Sequence, residues 1–501
     1  MSTSTPEIIT PAQTRGLKRN GIANVVIAAL WVVLVCLIFT HLTTAPLEHD
    51  ESFTLSIALL PWHQAWAAAV ADASHPPIYT MLVKLWIGLG GTSLVWFRIL
   101  PAIIMSLLPV PFLLLARELR APTIASVLGL LLLLANPTRI YYAHNARSYG
   151  LFMLLSAFSI WLFARLTRHE DTSRRLWIGY WFVNIALCST HYFGLWVICI
   201  QGLIALFCCR KQLLHYVIGV VLIAFTYLLW IPAARHSTRH PGGLAGYIGW
   251  MPLPTFKDLA WYYHHLIGGL NIRHAVEVGF LLFLLPLLLW SATSIVQWHR
   301  ASDARRRALI HLLPYATLPV IGTFFLSHVA KTPLFAERVL IFTVVPFCLA
   351  LSIALVSIPY RALRVSLYGA LLAWTASAGV MAISSLSNNG VRWDILAQCV
   401  GRDRGASIPV YAKEDWLALP YVMSQRMAGK DPDVRIVERF DSGSPREFWA
   451  AYRVFSEKPQ YTAGIESELR TADYKSIRTC EVGDGNTDRH VIFDLESREA
   501  H

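Results

Sequence analysis

Charged side chains are scarce in this sequence: Asp, Glu, Lys and Arg make up 15% of its 501 residues, against 55% hydrophobic. With a mean hydropathy of +0.48, that balance excludes a soluble chain and points to a polytopic membrane protein. The usual signatures of energy conversion and nucleophilic catalysis are also missing. No Gly-rich loop able to cradle a nucleotide phosphate, no Gly-x-Ser-x-Gly turn and no His-Glu-x-x-His helix occurs. Any reaction must therefore draw its driving force from the substrate, with no cofactor. Neither a solenoid repeat nor an inverted pair of broken transporter helices is present. Six of the eight cysteines lie in or beside apolar runs, where they serve as small core hydrophobes. Only Cys399 and Cys480 lie in the polar tail, and sequence alone leaves open whether they pair.

The net charge of +12 would suggest nucleic acid in a soluble domain, but here much of the excess sits in short loops between apolar runs. Topology accounts for it, and no nucleic-acid partner is expected. Arg15, Lys18 and Arg19 precede the run from Ile22 to Leu42, long enough to cross a hydrocarbon layer of roughly 30 Å. They hold the N-terminus in the cytoplasm, residues 1–20 being expected as a disordered tail, with the run as a retained anchor. Basic loops at 117–120, 165–175, 210–211, 300–307 and 361–364 then alternate with outer loops, giving about eleven spans over residues 21–387. Outer loops at 43–95 and 232–277 carry the Trp-rich stretch 55–70, the short apolar stretch 78–89 and Trp261-Tyr-Tyr263, all read as interfacial helices. An odd number of spans leaves residues 388–501 outside. That tail loses the apolar runs and reads as a small α/β domain. Its expected strands are 408–412, 433–437 and 490–493, and its expected helices 393–400 and 418–427.

Two features carry chemistry. The first is the acidic quartet Glu48-His49-Asp50-Glu51 just beyond the first span, followed by His75-Pro-Pro-Ile-Tyr79. A carboxylate near an interface can deprotonate an attacking hydroxyl, because partial desolvation raises its basicity. An acidic solvated loop is the plain alternative. The second is a set of cations against the topological rule: Arg139, Arg147, Arg235, Arg239, Arg273, Lys331 and Arg338 all fall on the outer side. A lipid-linked phosphate gives a reason to keep arginine there, since guanidinium binds phosphate in a fork; snorkelling to native membrane lipids is the alternative. Most of the 18 histidines also fall outside. His236 and His240 stand one helical turn apart, but Pro241 and the lack of a nearby carboxylate argue against a metal site.

At these residues the chain resembles the GT-C glycosyltransferases, in particular the family-39-like group of protein O-mannosyltransferases and lipid A aminoarabinose transferase. The matching pieces are Asp50-Glu51, His75-Pro-Pro-Ile-Tyr79, Arg98-Ile-Leu-Pro101, Ala146-Arg147-Ser-Tyr149, Thr190-His191-Tyr192 and Pro333-Leu-Phe-Ala-Glu-Arg338, in order over residues 22–358. The tail from Val391-Arg-Trp-Asp394 looks like the variable extracytoplasmic domain of bacterial members. The resemblance implies a polyprenyl-phosphate sugar donor, a lipid, glycan or protein acceptor, and inversion at the anomeric carbon in the bacterial cytoplasmic membrane. It implies Asp50 as general base with Glu51 orienting the acceptor. Arg338 and Arg147 would hold the departing phosphate, with His75, Tyr79, His144 and His191 as substrate contacts. Where some relatives have a second acidic residue, this chain has Tyr141-Tyr-Ala-His-Asn145; one base suffices if the phosphate leaves unprotonated. A ligase or polymerase using a pyrophosphate-linked glycan and a polytopic lipid transporter remain the competing classes, the latter disfavoured by spans almost free of ionisable groups.

Overall fold

The computed structural model describes residues 11–72, 74–168, 173–231, 251–270, 273–388, 390–401, 408–441, 444–455, 459–483 and 489–498. The first helix, α1 (Pro11–Thr40), begins ahead of the expected start at Ile22. After it come three short helices, α2 (His49–Leu59), α3 (Trp62–Asp72) and α4 (Ile78–Gly90). They occupy the stretch expected to hold interfacial helices. Lys84 donates to the carbonyl oxygens of Ala58 (3.1 Å) and Leu60, tying α4 to the end of α2.

The helical body continues as α5 (Leu94–Ser106), α6 (Pro109–Glu118), α7 (Thr123–Leu134), α8 (Pro137–Ala143), α9 (Tyr149–Arg168), α10 (Arg174–Thr190), α11 (Gly194–Cys208) and α12 (Leu213–Leu228). Beyond residue 250 lie α13 (Phe256–Leu266), α14 (Ala275–Gly279), α15 (Leu285–Val296), α16 (Asp303–Val329), α17 (Val344–Val356) and α18 (Arg361–Ser385). Every apolar run expected to cross is helical. Among the described residues six helices are long and apolar enough to span a membrane, or seven if the bent pair α7–α8 is one span. The protein is accordingly a multi-pass membrane protein.

The α7–α8 bend of 57° has a local cause. Pro137 lacks the N–H that would continue α7 and starts α8 instead. Asn136 caps the new helix, its side chain accepting from the Arg139 N–H at 3.3 Å, and donates across to the Leu266 carbonyl at 3.1 Å. Inside the bundle, α9, α10 and α11 are joined by a polar chain: Tyr180 Oη donates to Gln201 (2.7 Å), Gln201 to Ser159 (2.8 Å), and Ser159 to Asn184 (2.6 Å).

The tail forms α19 (Trp393–Val400), α20 (Asp415–Met427), α21 (Pro459–Thr471) and a mixed five-stranded sheet. The strands are β1 (Val410–Ala412), β2 (Val434–Ile436), β3 (Glu447–Phe455), β4 (Lys475–Gly483) and β5 (Arg489–Ser497), in the order β2-β1-β3-β5-β4. β1 runs parallel to β2 and β3; β3–β5 and β5–β4 are antiparallel. The three expected strands and two expected helices are present, whereas β3, β4 and α21 were not anticipated. The unit is seated on the helical body. Trp393 Nε1 donates to the Leu47 carbonyl at 2.9 Å, and α20 packs on α2.

Cys399 and Cys480 form a disulfide linking α19 to β4, with Cα atoms 6.1 Å apart and a sequence separation of 81. Closing so long a loop restricts the unfolded chain by about 4 kcal/mol. The Cys399→Ser/Cys480→Ser double variant is expected to lose protease resistance in residues 390–498 under conditions that leave the wild type intact. Equal resistance of the two proteins would contradict a stabilising bridge.

Candidate active site

Glu51 and Asp50 are adjacent on the first turn of α2, yet their side chains part company. Glu51 is 0% exposed and forms a bidentate pair with Arg98 of α5: Nε to Oε1 at 3.1 Å and Nη2 to Oε2 at 2.6 Å. The rest of the Arg98 guanidinium donates to the carbonyls of Leu42 (3.2 Å), Ala45 (2.6 Å) and Pro46 (2.7 Å), the segment leaving α1. Glu51 Oε1 also accepts from the backbone N–H of Ala146 at 2.8 Å. The carboxylate is thereby fully engaged, so the expectation that Glu51 orients an acceptor is replaced by a structural role. Its bond to Ala146 places the next residue, Arg147, beside the previous one, Asp50.

The Asp50 side chain is 44% exposed, and its Oδ2 lies 3.7 Å from Arg147 Nη2, too long for a hydrogen bond. Arg147 is steered there by Nη1, which donates to the Asp50 carbonyl (3.1 Å) and Thr54 Oγ1 (2.9 Å); its Nε has no partner. Asp50 and Arg147 line a cavity of about 700 Å³ that also takes in His75, His191 and Arg338. Five of the eight residues expected at the site thus meet in one cavity. Among the described residues Arg338 enters no ion pair; it sits in a short helical turn, Glu337–Val339.

The guanidiniums set the protonation of the cavity. Arg147 first, then Arg338, hold the Asp50 carboxyl below the usual carboxylate range, outweighing its burial. This reverses the expected raised basicity. Burial, then Arg147 and Arg338, bring His191 down to about 3. Burial, then Arg147, His191 and Arg338, keep His75 well below the ordinary imidazole range. Both rings are neutral at physiological pH. His191 Nδ1 accepts from the Phe193 N–H at 3.2 Å, which leaves the proton on Nε2. The two rings meet edge to face at 5.1 Å, and His191 stacks on Phe152 at 4.6 Å.

Two expected contacts lie elsewhere. Tyr79 is 3% exposed and packed in the core, outside the cavity lining, with its hydroxyl unpartnered. His144 is buried with its ring nitrogens against the carbonyls of Ile140 (2.8 Å) and Ile38 (3.1 Å), so it braces α8 against α1. Arg235, Arg239, His236 and His240 lie outside the described residues; Arg273 and Lys331 are exposed away from the cavity. Among the described residues no group of His, Cys, Asp or Glu is arranged to hold a metal ion.

The sequence reading missed the wall supplied by the tail. Asp415 and Trp416, at the start of α20, line the same cavity. Trp416 stacks on His49 at 6.2 Å and lies under Arg453 at 4.7 Å. An isolated Glu-Asp-Trp at a helix start gave no signal of this, because the partner of Trp416, His49, lies far away in sequence. Glu48 was named only as part of the quartet. Burial, then Glu51, raises its carboxyl to about 7, and it accepts from Tyr141 Oη and from Asn145 Nδ2 (2.8 Å). Tyr141 and Arg338 both line a second cavity, of about 340 Å³, adjoining the first.

A helical membrane body, the short helices α2 to α4 and a cavity at their junction with a small α/β unit make up a fold shared with GT-C proteins of known structure. No protein-family model matches the chain, and no curated protein matches it. Solved structures do. ArnT from Cupriavidus metallidurans in the apo state superposes with a TM-score of 0.59 at 13% identity, covering 93% of this chain and 98% of that one. The same protein bound to undecaprenyl phosphate gives 0.56 at 13% identity, covering 93% and 97%.

Glu51→Gln leaves Arg98 buried against an uncharged partner and is expected to destabilise the protein by about 3–5 kcal/mol. Asp50→Asn, at a half-open position, is expected to leave the melting temperature near the wild-type value. Thermal unfolding in detergent checks both, and a Glu51→Gln protein as stable as wild type would contradict the structural role.

Proposed function

We propose that the protein is a membrane glycosyltransferase that moves a sugar from a polyprenyl-phosphate donor to a hydroxyl of an envelope acceptor, with inversion. The observation that carries this reading is a carboxylate, Asp50, set beside Arg147 in a cavity that also holds Arg338, a cation with no acidic ion-pair partner among the described residues; Asp72 and Asp415 line the same cavity. The GT-C fold and the undecaprenyl phosphate named for the bound ArnT structure support it. In this reading the expected eleven spans leave the N-terminus in the cytoplasm and the α/β unit outside, with the active site at the outer face of the bacterial cytoplasmic membrane, where lipid-linked sugars are presented.

The chemistry follows from charge. A donor phosphate lies between the Arg147 and Arg338 guanidiniums, while the neutral His75 and His191 rings meet sugar hydroxyls as hydrogen-bond partners. The acceptor oxygen attacks the anomeric carbon from the side opposite the phosphate. The C–O bond to phosphate breaks, its electron pair stays on the phosphate oxygen, and Asp50 takes the acceptor proton. Charge growing on the leaving phosphate is stabilised by the two arginines. The same binding event activates the base: once the donor phosphodiester, a monoanion, offsets part of the guanidinium charge, the influence that depresses Asp50 weakens and its basicity rises.

This gives a pH signature with a definite sign. The acidic limb of kcat/KM reports free enzyme, where Arg147 and Arg338 lower the Asp50 pKa. The limb of kcat reports the donor complex and is expected at higher pH. Asp50→Asn is expected to lose about 10²–10⁴-fold in kcat with donor binding retained. Transfer from a synthetic polyprenyl-phosphate sugar to extracted envelope acceptors, alongside donor binding, checks both. Full activity of Asp50→Asn would overturn the mechanism; transfer only from pyrophosphate-linked glycans would favour the ligase class.

In this reading Asp415 and Trp416 face the acceptor, as an aromatic platform and a hydrogen-bonding carboxylate. Trp416→Ala is expected to raise the acceptor KM about tenfold with the donor KM unchanged, about the worth of one aromatic contact. Equal changes in both constants would contradict that assignment.

A further inference from the structure

Arg139 is the wrong-side cation that the catalytic cavity does not absorb. It sits on α8 and is 2% exposed, yet its Nε and Nη1 atoms have no hydrogen-bond partner, and among the described residues no carboxylate pairs with it. An unpaired guanidinium buried among helices of a membrane protein is costly unless something outside the chain compensates it.

Arg139 lines a groove of about 510 Å³ between α1, α7 and α18, walled by apolar side chains such as Leu34, Leu134 and Val380. The other polar groups of the groove are already committed. His144 turns its ring nitrogens to the Ile140 and Ile38 carbonyls, and Thr375 donates back to the Leu371 carbonyl at 2.8 Å. Among the described lining residues there is no acidic side chain, so the missing anion must come from a ligand. The walls require that ligand to carry a hydrocarbon chain, and the guanidinium fork suits a phosphate oxygen pair.

This groove is separate from the catalytic machinery. It shares no lining residue with the cavity around Asp50 or with the smaller one beside Arg338. Helix α8 divides them: Arg139, Ile140 and His144 line the groove, whereas Thr138, Tyr141 and Tyr142 line the smaller cavity.

We propose that the α1/α7/α18 groove is a binding site for one bilayer phospholipid, its phosphate diester clasped by Arg139 and one acyl chain lying along the apolar walls. This stands apart from the transfer reaction and does not depend on it. The lipid completes the bundle where α7 breaks, and it supplies the counter-charge that the fold withholds from Arg139.

The test is native mass spectrometry of the full-length protein in mild detergent, with phosphatidylglycerol in one arm and undecaprenyl phosphate in the other. Wild type is expected to retain one phosphatidylglycerol. Arg139→Met is expected to lower its affinity about tenfold or more, the loss anticipated when a charged hydrogen-bonding group is removed, and Arg139→Lys to lower it less. Val380→Trp, at a rim position already 68% exposed, closes the groove without repacking the core and is expected to displace the lipid too. It decides the matter if Arg139→Met does not fold. Unchanged phosphatidylglycerol retention by a folded Arg139→Met or Val380→Trp protein would overturn the proposal. So would an Arg139 dependence found for undecaprenyl phosphate alone, which would assign the groove to the carrier's chain.

Discussion

The buried pair of Arg98 and Glu51 joins parts of the chain that the rest of the site depends on. Through one guanidinium and one carboxylate it gathers the segment leaving α1, the first turn of α2, the start of α5 and the backbone ahead of α9. Such a pair is poor evidence for stability in itself, because desolvating both charges offsets their attraction. Its value here is positional. Glu51 holds the Ala146 N–H, so the neighbours of those two residues, Asp50 and Arg147, are set side by side, Arg147 bonding the Asp50 backbone carbonyl while its carboxylate stays free of a hydrogen bond to the guanidinium. A looser anchor would let the carboxylate either collapse onto the arginine or swing away from it.

That spacing matters for the electrostatics of the cavity. Arg147 keeps Asp50 ionised but 3.7 Å away, which leaves its oxygens free to accept an acceptor hydroxyl. Burial first, and then the same cation with Arg338, keeps His75 and His191 neutral. Arg147 and Arg338 thus weaken the base they flank, in a cavity that Asp72 and Asp415 also line. Under the proposed mechanism a lipid-linked phosphate is both leaving group and the charge that restores Asp50's basicity, which couples donor occupancy to catalysis. Placing Trp416 of the α/β unit on His49, next to Asp50, brings a part of the chain outside the bundle to the reacting centre.

Much of this was legible where the signal is local. Apolar runs marked the helices, although the α7 break at Asn136-Pro137 was read through as part of one span, and the clusters at 50–51, 146–149, 190–192 and 333–338 named about half of the cavity lining. What stayed hidden needs the third dimension. Successive residues on a helix point about 100° apart, so one of Asp50 and Glu51 had to face inward, and nothing in the quartet says which. His144 looked as much like a ligand as His191 did; only packing shows its nitrogens occupied by carbonyls. The reversed shift at Asp50 depends on Arg147 and Arg338, brought in from far along the chain. In the tail, β4 carries mostly exposed, charged or polar residues and gives little alternation to read, although its partner β5 was partly visible. Arg139 was singled out as a cation expected on the outer side; that it is buried with unpartnered nitrogens in a separate groove could not be read from spacing.

The central claim is that Arg147 and Arg338 hold the donor's phosphate beside Asp50. The most direct measurement is a cryo-electron microscopy structure of the full-length protein with polyprenyl phosphate bound. The account predicts phosphate density in the cavity of about 700 Å³, within hydrogen-bond reach of both guanidiniums and next to the Asp50 carboxylate. Phosphate density at another position, with that cavity empty, would contradict it.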